Sequence, residues 1–582
     1  MNFFHHFRNE ILKALENLVQ TGDLPAGLTF EAITTEPPRD PTHGDLATNA
    51  ALILSKPAQK NPRELAQLIA EKLKSLPSVE DVSVAGPGFI NIKLLPSFWH
   101  HQLVTILEKG EHYGSSNLGL GEKINLEYVS ANPTGPIHAG HGRVAVVADV
   151  LATLLEKVGY IILREYYVND AGGQAEKLAK STYLRYREAL GETIGPIPEG
   201  YYPGDYLKDV GQAIAQRDGA KWKDLPEEEW CEPFRAFAVT AMMTNIREAL
   251  GLMGITHDVF TCETDLHRSG AIDAAIQDLR AQGLVYEGTL EAPRDTEIED
   301  WEPRVQMLFR STQFGDDSDR ALQKSNGTWT YFAGDIAYHY DKFKRGYTQM
   351  INVWGADHVG IVKRITAAVK AITKGQGQLD VVLCQMVKFM DGGEPLKMSK
   401  RAGTFIPVQD VIEKVGRDAY RFMMASRKNE AQLDFDFQKV MDQSKDNPIF
   451  YIQYAHARCH SVMRMGQETF PEWEKTSPAS SLEALTDPDE LRLLHLLAGW
   501  PRQVEIAALA REPHRLCYAL YDIAQQFHIM WNKGKDNAQL RFILPHNPSL
   551  TRARLALIQG VATIIGSGLA IFGVTPLKEM RE

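Results

Sequence analysis

The alternation of hydrophobic and polar positions changes character three times along the chain. From Phe3 to Gln20 apolar residues recur at helical spacing, which predicts an amphipathic first helix. A polar stretch, TTEPPRDPTHGDLATN, then leads into helices expected around Ala47–Ile53 and Pro62–Lys74. The segment VSVAGPGFINIKL alternates strictly about Pro87-Gly88 and reads as a hairpin. Residues 1–105 are therefore expected to form a small α/β domain.

From Lys123 the pattern becomes strand, turn, long apolar helix, strand: INLEYVS, ANPTGPIHAGH, GRVAVVADVLATLLEKVGY and YIILREYYV. That order predicts a β-loop-α-β unit, and hence a parallel sheet of Rossmann type. Residues from about 180 to 300 are charged and helical with proline breaks at 196–203, and read as an insertion into the sheet domain. Strand signals return at TWTYFAG, QMINVWG and DVVLCQMVKFM. After Asp446 the pattern is purely helical, in YIQYAHARCHSVMRM, ELRLLHLLAGW and PHRLCYALYDIAQQFHIMWNK. The expected organisation is an α/β domain (1–105), a parallel-sheet domain with a helical insertion (106–445) and an all-α domain (446–582).

Composition narrows the function classes. With 582 residues, 44% hydrophobic and 24% charged, the chain is ordinary for a globular protein and excludes fibrous, disordered and disulfide-scaffold classes. The net charge of −11 excludes a histone-like polybasic binder. From Pro501 to Glu582, however, 10 Lys/Arg stand against 6 Asp/Glu, so an acidic body carries a basic end, as suits partial contact with nucleic acid. The five cysteines are scattered and form no C-x-x-C pair, which indicates neither a disulfide framework nor a zinc site. The first residues lack the apolar core of a signal peptide. Leu557 to Val574 is free of charge over 18 residues, but its glycines and polar residues favour a buried packing helix over a membrane span. A cytoplasmic, reducing location without membrane association is expected.

Two short constellations carry chemistry. Between the first strand and the long helix stands His138-Ala139-Gly140-His141. Imidazoles three residues apart at a helix N-terminus can both reach one ligand's phosphate oxygens, and Gly140 leaves room for a flat ring. No Lys-Ser/Thr follows the glycines, so the turn is not a P-loop. Some 260 residues later, Lys397-Met398-Ser399-Lys400-Arg401-Ala402-Gly403 places three cations in five residues. Such a loop can fold over a triphosphate and neutralise charge on departing pyrophosphate. Taken alone, each is weak, since four-residue matches and solvated basic loops are common. The ordered pair is specific.

That pair resembles the two signature motifs of class I aminoacyl-tRNA synthetases, and the rest of the chain is similar to arginyl-tRNA synthetases along essentially its whole length. The similar stretches include PTHGDLATN from Pro41, GPGFIN from Gly86, YVNDAGGQ from Tyr167, RSTQFGDDSDRALQKSNGTWTYFAGDIAYH, MVKFMDGGEPLKMSKRAG and YIQYAHAR. The resemblance implies two-step ligation of arginine to its tRNA, using ATP with Mg²⁺ as a substrate complex and no tightly bound cofactor. His138, His141, Lys397 and Lys400 would be the catalytic residues, with Gly140, Met398 and Ser399 also at ATP. Some relatives lack the second lysine of the loop and carry one just before H-x-G-H instead; here Lys400 is present and the upstream position is Gly135.

A guanidinium presents five donors in one plane, which carboxylates meet in a fork. The resemblance implies that Glu127, Asn132, Tyr331 and Asp335 bind the substrate arginine, with His358 at a position where relatives carry glutamine. Tyr331 and Asp335 would share one helix face at i,i+4 spacing. The C-terminal region resembles the anticodon-binding domain, where unpaired bases stack on aromatic rings. Tyr451, Tyr454 and Trp531 are the candidates, with Met580 near the end. The N-terminal region resembles the domain that meets the outer corner of the tRNA. The expected partners are tRNA-Arg, L-arginine and ATP, the expected state is monomeric, and no dedicated protein metal site is expected. A catalytically silent tRNA-binding relative and a small-molecule nucleotidyltransferase are the competing readings.

Overall fold

The computed structural model describes residues 2–290, 305–396, 406–471, 473 and 481–580. Its contacts divide the chain into two units: Gly119–Met441 with Arg511–Pro513, and Met1–Leu118 with Asp442–Ala510 and His514–Glu582.

The first of these is built on five parallel strands: β1 (Lys123–Tyr128), β2 (Ile161–Val168), β3 (Val259–Cys262), β4 (Gln349–Gly355) and β5 (Gln378–Cys384), in the spatial order β5-β4-β1-β2-β3. Apart from Lys123 all of β1 is buried, as expected of a central strand covered on both faces. Its successors step outward in opposite directions, β2 and β3 to one side and β4 and β5 to the other. The crevice beyond the C-terminal ends of β1 and β4 is therefore the topological switch point, where open α/β sheets bind ligands. Helix α1 (Ala139–Lys157) crosses from β1 to β2, and α3 (Tyr331–Lys344) and α4 (Val359–Ile372) flank β4. The short α2 (Glu263–Arg268) follows β3 directly.

Three expectations need correction here. The stretch from about 180 to 300 is not one helical insertion. Helices Gly173–Ala189, Tyr206–Asp218 and Glu227–Leu252 are followed by β3, which belongs to the main sheet, and then by a small antiparallel sheet of Val285–Thr289, Val305–Phe309 and Arg320–Ala321. TWTYFAG is not a strand: Trp329 makes a single bridge to Gln323, and Thr330 then caps α3 by accepting from the Ala333 amide at 3.4 Å. DVVLCQMVKFM is two strands, because β5 ends at Cys384 and Val387–Asp391 pairs in a different sheet with Leu433–Asp436. Arg143 accounts for the break. Fully buried on α1, it donates to the carbonyls of Gln385 (2.8 Å), Ala431 (2.7 Å) and Lys428 (2.9 Å), which holds the chain away from the sheet at that point.

The other unit joins the two ends of the chain. The first helix, Phe3–Gln20, forms as its periodicity requires, and strands Val79–Ala85 and Phe89–Leu94 pair as the expected hairpin. The helix expected from Ala47 starts at Ala50, because Leu46–Thr48 pairs as a strand with the hairpin. Helix Pro96–Lys109 spans the expected boundary at 105 and packs on the helical region, where His100 Nε2 meets the Leu485 carbonyl at 3.1 Å. Within that region run α5 (Pro448–Thr469), α6 (His514–Asp536) and α7 (Pro548–Ile571). The last is long and apolar enough to cross a membrane but is mostly buried among its neighbours. A Cβ on Gly568 would meet Leu520 and Trp500, so a glycine is needed for α7 to pack this closely.

Candidate functional site

The chain leaves β1 through a strained turn. Val129 (φ 67°) and Ser130 (φ 41°) both take left-handed conformations, which cost about 1–3 kcal/mol each and collect at functional sites. Ser130 repairs part of this cost: its hydroxyl donates to Glu127 Oε1 and accepts from the Tyr167 amide, both at 3.1 Å, tying the ends of β1 and β2 together.

At the far end of the turn His138 adopts extended backbone as the N-cap of α1, so the helix N-terminus, with its positive dipole end, opens beside it. The rings of His138 and His141 stack with centroids 3.7 Å apart. A Cβ on Gly140 would lie 3.0 Å from His138 Nδ1, so the space over the rings stays open only for glycine. The next glycine, Gly142, leaves no room at all, since a Cβ there would collide with the Tyr420 hydroxyl. Lys397, Met398, Ser399 and Lys400 lie outside the described residues. The chain that follows them does not: Ile406 accepts from the Ala139 amide at 2.9 Å, and Pro407 bridges to His138. The chain that follows the second motif is thus joined at Ile406 and Pro407 directly to the first.

On the sheet side, carboxylates gather without enough cations. Asp335 on α3 is half-buried, and its pKa is pushed up to about 8 by burial first and then by Glu127 and Glu263. Glu263, the first residue of α2, is buried and pushed up to about 7 by burial and by Asp170. Tyr167, from β2, is raised well above its usual range by burial and by the same four acids. Asp335 has no ion-pair partner among the described residues, and Glu263 has only the exposed imidazole of His267 at 3.7 Å. The Asn169 amide, oriented to suit its neighbours, donates to Glu263 Oε2 at 2.7 Å. A pocket of this kind suits a ligand bearing a delocalised cation.

The other expected arginine contacts occupy different places around it. The Tyr331 hydroxyl reaches Gly172, where a Cβ would lie 3.0 Å away, and its ring is half exposed. Asn132 Nδ2 donates to Gln174 Oε1 at 2.9 Å across the mouth of the same loop. Glu127 is buried and already engaged, since Lys342 Nζ donates to its Oε2 at 2.8 Å. His358 stands exposed just beyond β4, 3.7 Å from Asp357 and 6.0 Å from the Trp354 ring centroid. Glu263 was not anticipated from the sequence. The only signal was a carboxylate at a strand-to-helix junction, and that strand was itself missed.

In the helical region Tyr451, Tyr454 and Trp531 do come together. Arg458 lies over Tyr454 (3.9 Å) and Trp531 (4.8 Å), and the His528 ring is 4.4 Å from Tyr451. The tail carrying Met580 is tied to α5, with Gln453 donating to Thr575 O at 2.8 Å and accepting from the Leu577 amide at 2.7 Å.

Comparison with known proteins matches this architecture in order. The family models for the arginyl tRNA synthetase N terminal domain, the catalytic domain of class I (R) tRNA synthetases and the DALR anticodon binding domain match residues 5–94, 102–461 and 452–580. The arginine–tRNA ligase of Parvibaculum lavamentivorans is 54% identical over 583 residues, covering 100% of both chains. That of Methylorubrum extorquens is 53% identical over 588 residues, again with 100% of each chain covered. Arginyl-tRNA synthetase of Thermus thermophilus shares the fold, with a TM-score of 0.71 at 19% identity over 99% of this chain and 100% of that one.

Proposed function

This chain belongs to the arginyl-tRNA synthetase family, and from that premise we infer that it charges tRNA-Arg with arginine in two steps, using ATP. In the first step the arginine carboxylate attacks the α-phosphorus of ATP, giving arginyl-adenylate and releasing pyrophosphate. In the second, a ribose hydroxyl of the terminal adenosine attacks the acyl carbon and AMP departs. Neither step needs a covalent enzyme intermediate, so the protein's work is positioning and charge stabilisation.

The observation that carries this reading is the juxtaposition of a phosphate turn with an electron-rich pocket at one switch point of the sheet. His138, His141 and the amides of α1 would meet the phosphates, with Lys397 and Lys400 closing over the pyrophosphate. Asp335 and Glu263 would grip the guanidinium, Tyr331 would assist at the side chain, and Asn132 would hold the amino acid's backbone end. His358, at the end of β4, would stand at the rim. Tyr451, Tyr454 and Trp531 would present rings to unpaired anticodon bases, with Met580 alongside. The N-terminal region would meet the outer corner of the tRNA.

We further propose that Mg²⁺ enters with ATP as part of the substrate, that the enzyme acts as a monomer in the cytoplasm, and that arginine activation depends on bound tRNA. Five free thiols, two of them partly exposed, support a reducing compartment. The test is ATP–pyrophosphate exchange with arginine or lysine, with and without total tRNA. Exchange with arginine alone, and only with tRNA present, is the expected result. Exchange with another amino acid would overturn the guanidinium assignment while leaving the fold in place.

A further inference from the structure

Outside the sheet, the segment YYPGDY (201–206) joins the helices Gly173–Ala189 and Tyr206–Asp218. It is fastened to the first of them. The hydroxyl of the fully buried Ser181 accepts from the Tyr202 amide at 3.0 Å, and Arg185 donates to the Pro203 carbonyl at 2.9 Å. A Cβ on Gly211 would lie 2.5 Å from the Arg185 backbone, so the two helices pack backbone against backbone. The segment therefore moves only with these helices.

From this segment two side chains reach the turn that leads from β1 to His138. The Tyr206 hydroxyl donates to the Thr134 carbonyl at 2.7 Å, and the Tyr202 hydroxyl hydrogen-bonds the buried Thr134 side chain. Burial pushes the Tyr206 pKa up to about 12, so its hydroxyl keeps its proton and remains a donor near neutrality. The Tyr206 ring is wedged between two glycines. A Cβ on Gly204 would collide with the ring, and one on Gly135 would lie 2.9 Å from the hydroxyl and 3.1 Å from Cζ. Neither glycine takes a left-handed φ, so it is the ring and not the backbone that excludes a side chain at both positions. The turn is thus held from two sides. At Ala131 the sheet holds it, through the Tyr166 hydroxyl of β2 at 2.7 Å, and at Thr134 the outer helices hold it, through Tyr206. The path from Thr134 to His138 is stiff, because Pro136 locks its own φ and narrows the choices of Gly135, and Ile137 is buried. A displacement of the Thr134 carbonyl therefore reaches His138 and the first turn of α1 with little loss.

We propose that Tyr206 is a positioning residue for ATP: from helices outside the sheet, its hydroxyl sets the Thr134 carbonyl and with it the placement of His138 and His141 against the phosphates. This rests on reading the H-x-G-H turn as the phosphate site. Tyr206 itself does not touch the nucleotide; it decides how well the imidazoles meet the charge that grows on the phosphates during the reaction.

The test is pyrophosphate exchange by the full-length protein with arginine and tRNA, reading KM for ATP and for arginine separately. Tyr206→Phe keeps the ring between its two glycines and removes only the hydroxyl. It should raise the ATP KM about tenfold, because a small misplacement of catalytic groups is costly, and leave the arginine KM nearly unmoved. Gly135→Ala, whose methyl group would press on the same hydroxyl, should show the same split. The variant carrying both changes should fall clearly short of the product of the two single effects, because both act through one contact. Should Gly135→Ala fail to fold, Tyr206→Phe decides the matter alone. An unchanged ATP KM in Tyr206→Phe, or ATP and arginine KM values that rise together, would overturn the proposal. An exchange rate and an ATP KM both indifferent to His138→Ala would instead overturn the phosphate site on which it rests.

Discussion

In the sheet unit, Asp335 and Glu263 stand within electrostatic reach of one another with no resident cation between them. In the helical region, Tyr451, Tyr454 and Trp531 are already packed against His528 and Arg458. The two surfaces thus wait for ligand in different ways. The pocket's carboxyls resist ionisation and hold protons until a cation arrives to balance them. The aromatic cluster is held differently: each ring has a neighbour, and Arg458 both donates to the Tyr454 hydroxyl at 2.6 Å and covers its face. In this cluster the buried Trp531 indole N–H has no partner among the described residues. A charge-matched pocket should therefore respond steeply to loss of one group, and a ring platform only gradually.

The sharpest break of that comparison is Asp335→Asn. Removing one carboxylate from a desolvated guanidinium site should cost about 3–5 kcal/mol. The efficiency with arginine should fall by about 10²-fold or more, since each 1.4 kcal/mol is about tenfold, while the ATP KM stays nearly constant. Pyrophosphate exchange at saturating tRNA reads both. A matched rise in the two KM values would mean that the variant is misfolded or the pocket misassigned.

Trp531→Ala should have a smaller effect of a different kind. Base stacking on an aromatic ring contributes about 1–3 kcal/mol, so tRNA affinity should weaken by that amount in filter binding, with the arginine KM at saturating tRNA unmoved. Trp531→Phe, which keeps a ring face, should lie between the parent and the alanine variant. If both variants bind tRNA like the parent, these rings only pack against one another.

The same contrast governs how much could be read from the sequence. The β1–turn–α1 unit was legible because apolar periodicity and the H-x-G-H turn agree on one short segment. The aromatic candidates were legible as single residues, since Tyr451 and Tyr454 share a helix with a clear helical pattern. TWTYFAG misled because β-branched and aromatic residues give a strand signal that the Thr330 cap overrides. Glu263 was hidden because β3 is only four residues long and partly buried along its length; only its pairing with β2 brings that carboxylate to the pocket. Lys342 and Glu127 are 215 residues apart, and no local pattern joins them. Charge balance across a sheet is a property of the folded chain, whereas a phosphate turn is a property of ten consecutive residues.

The pH dependence of arginine binding sharpens the comparison with the least perturbation. Asp335 and Glu263, raised to about 8 and about 7 by burial and by neighbouring acids, hold protons in the free enzyme near neutrality. A guanidinium favours their ionised forms, so binding must release protons. Arginine affinity should rise with pH until about pH 8 and fall below it by up to about tenfold per pH unit for each proton displaced. The stability consequence has the opposite sign. A carboxyl whose pKa is raised on folding binds more protons in the folded than in the unfolded state, so the free enzyme loses stability as pH rises from about 4 to about 8. Arginine restores it, and the increase in Tm on adding arginine with tRNA should be larger at about pH 8 than at about pH 6. Calorimetric titration in buffers of different ionisation enthalpy counts the protons directly. A heat independent of buffer, with affinity flat across that range, would mean that both carboxylates are already ionised and that solvent, rather than the substrate, balances the pocket. The aromatic cluster offers the internal control, since tRNA binding through its rings should show no comparable proton release near neutral pH.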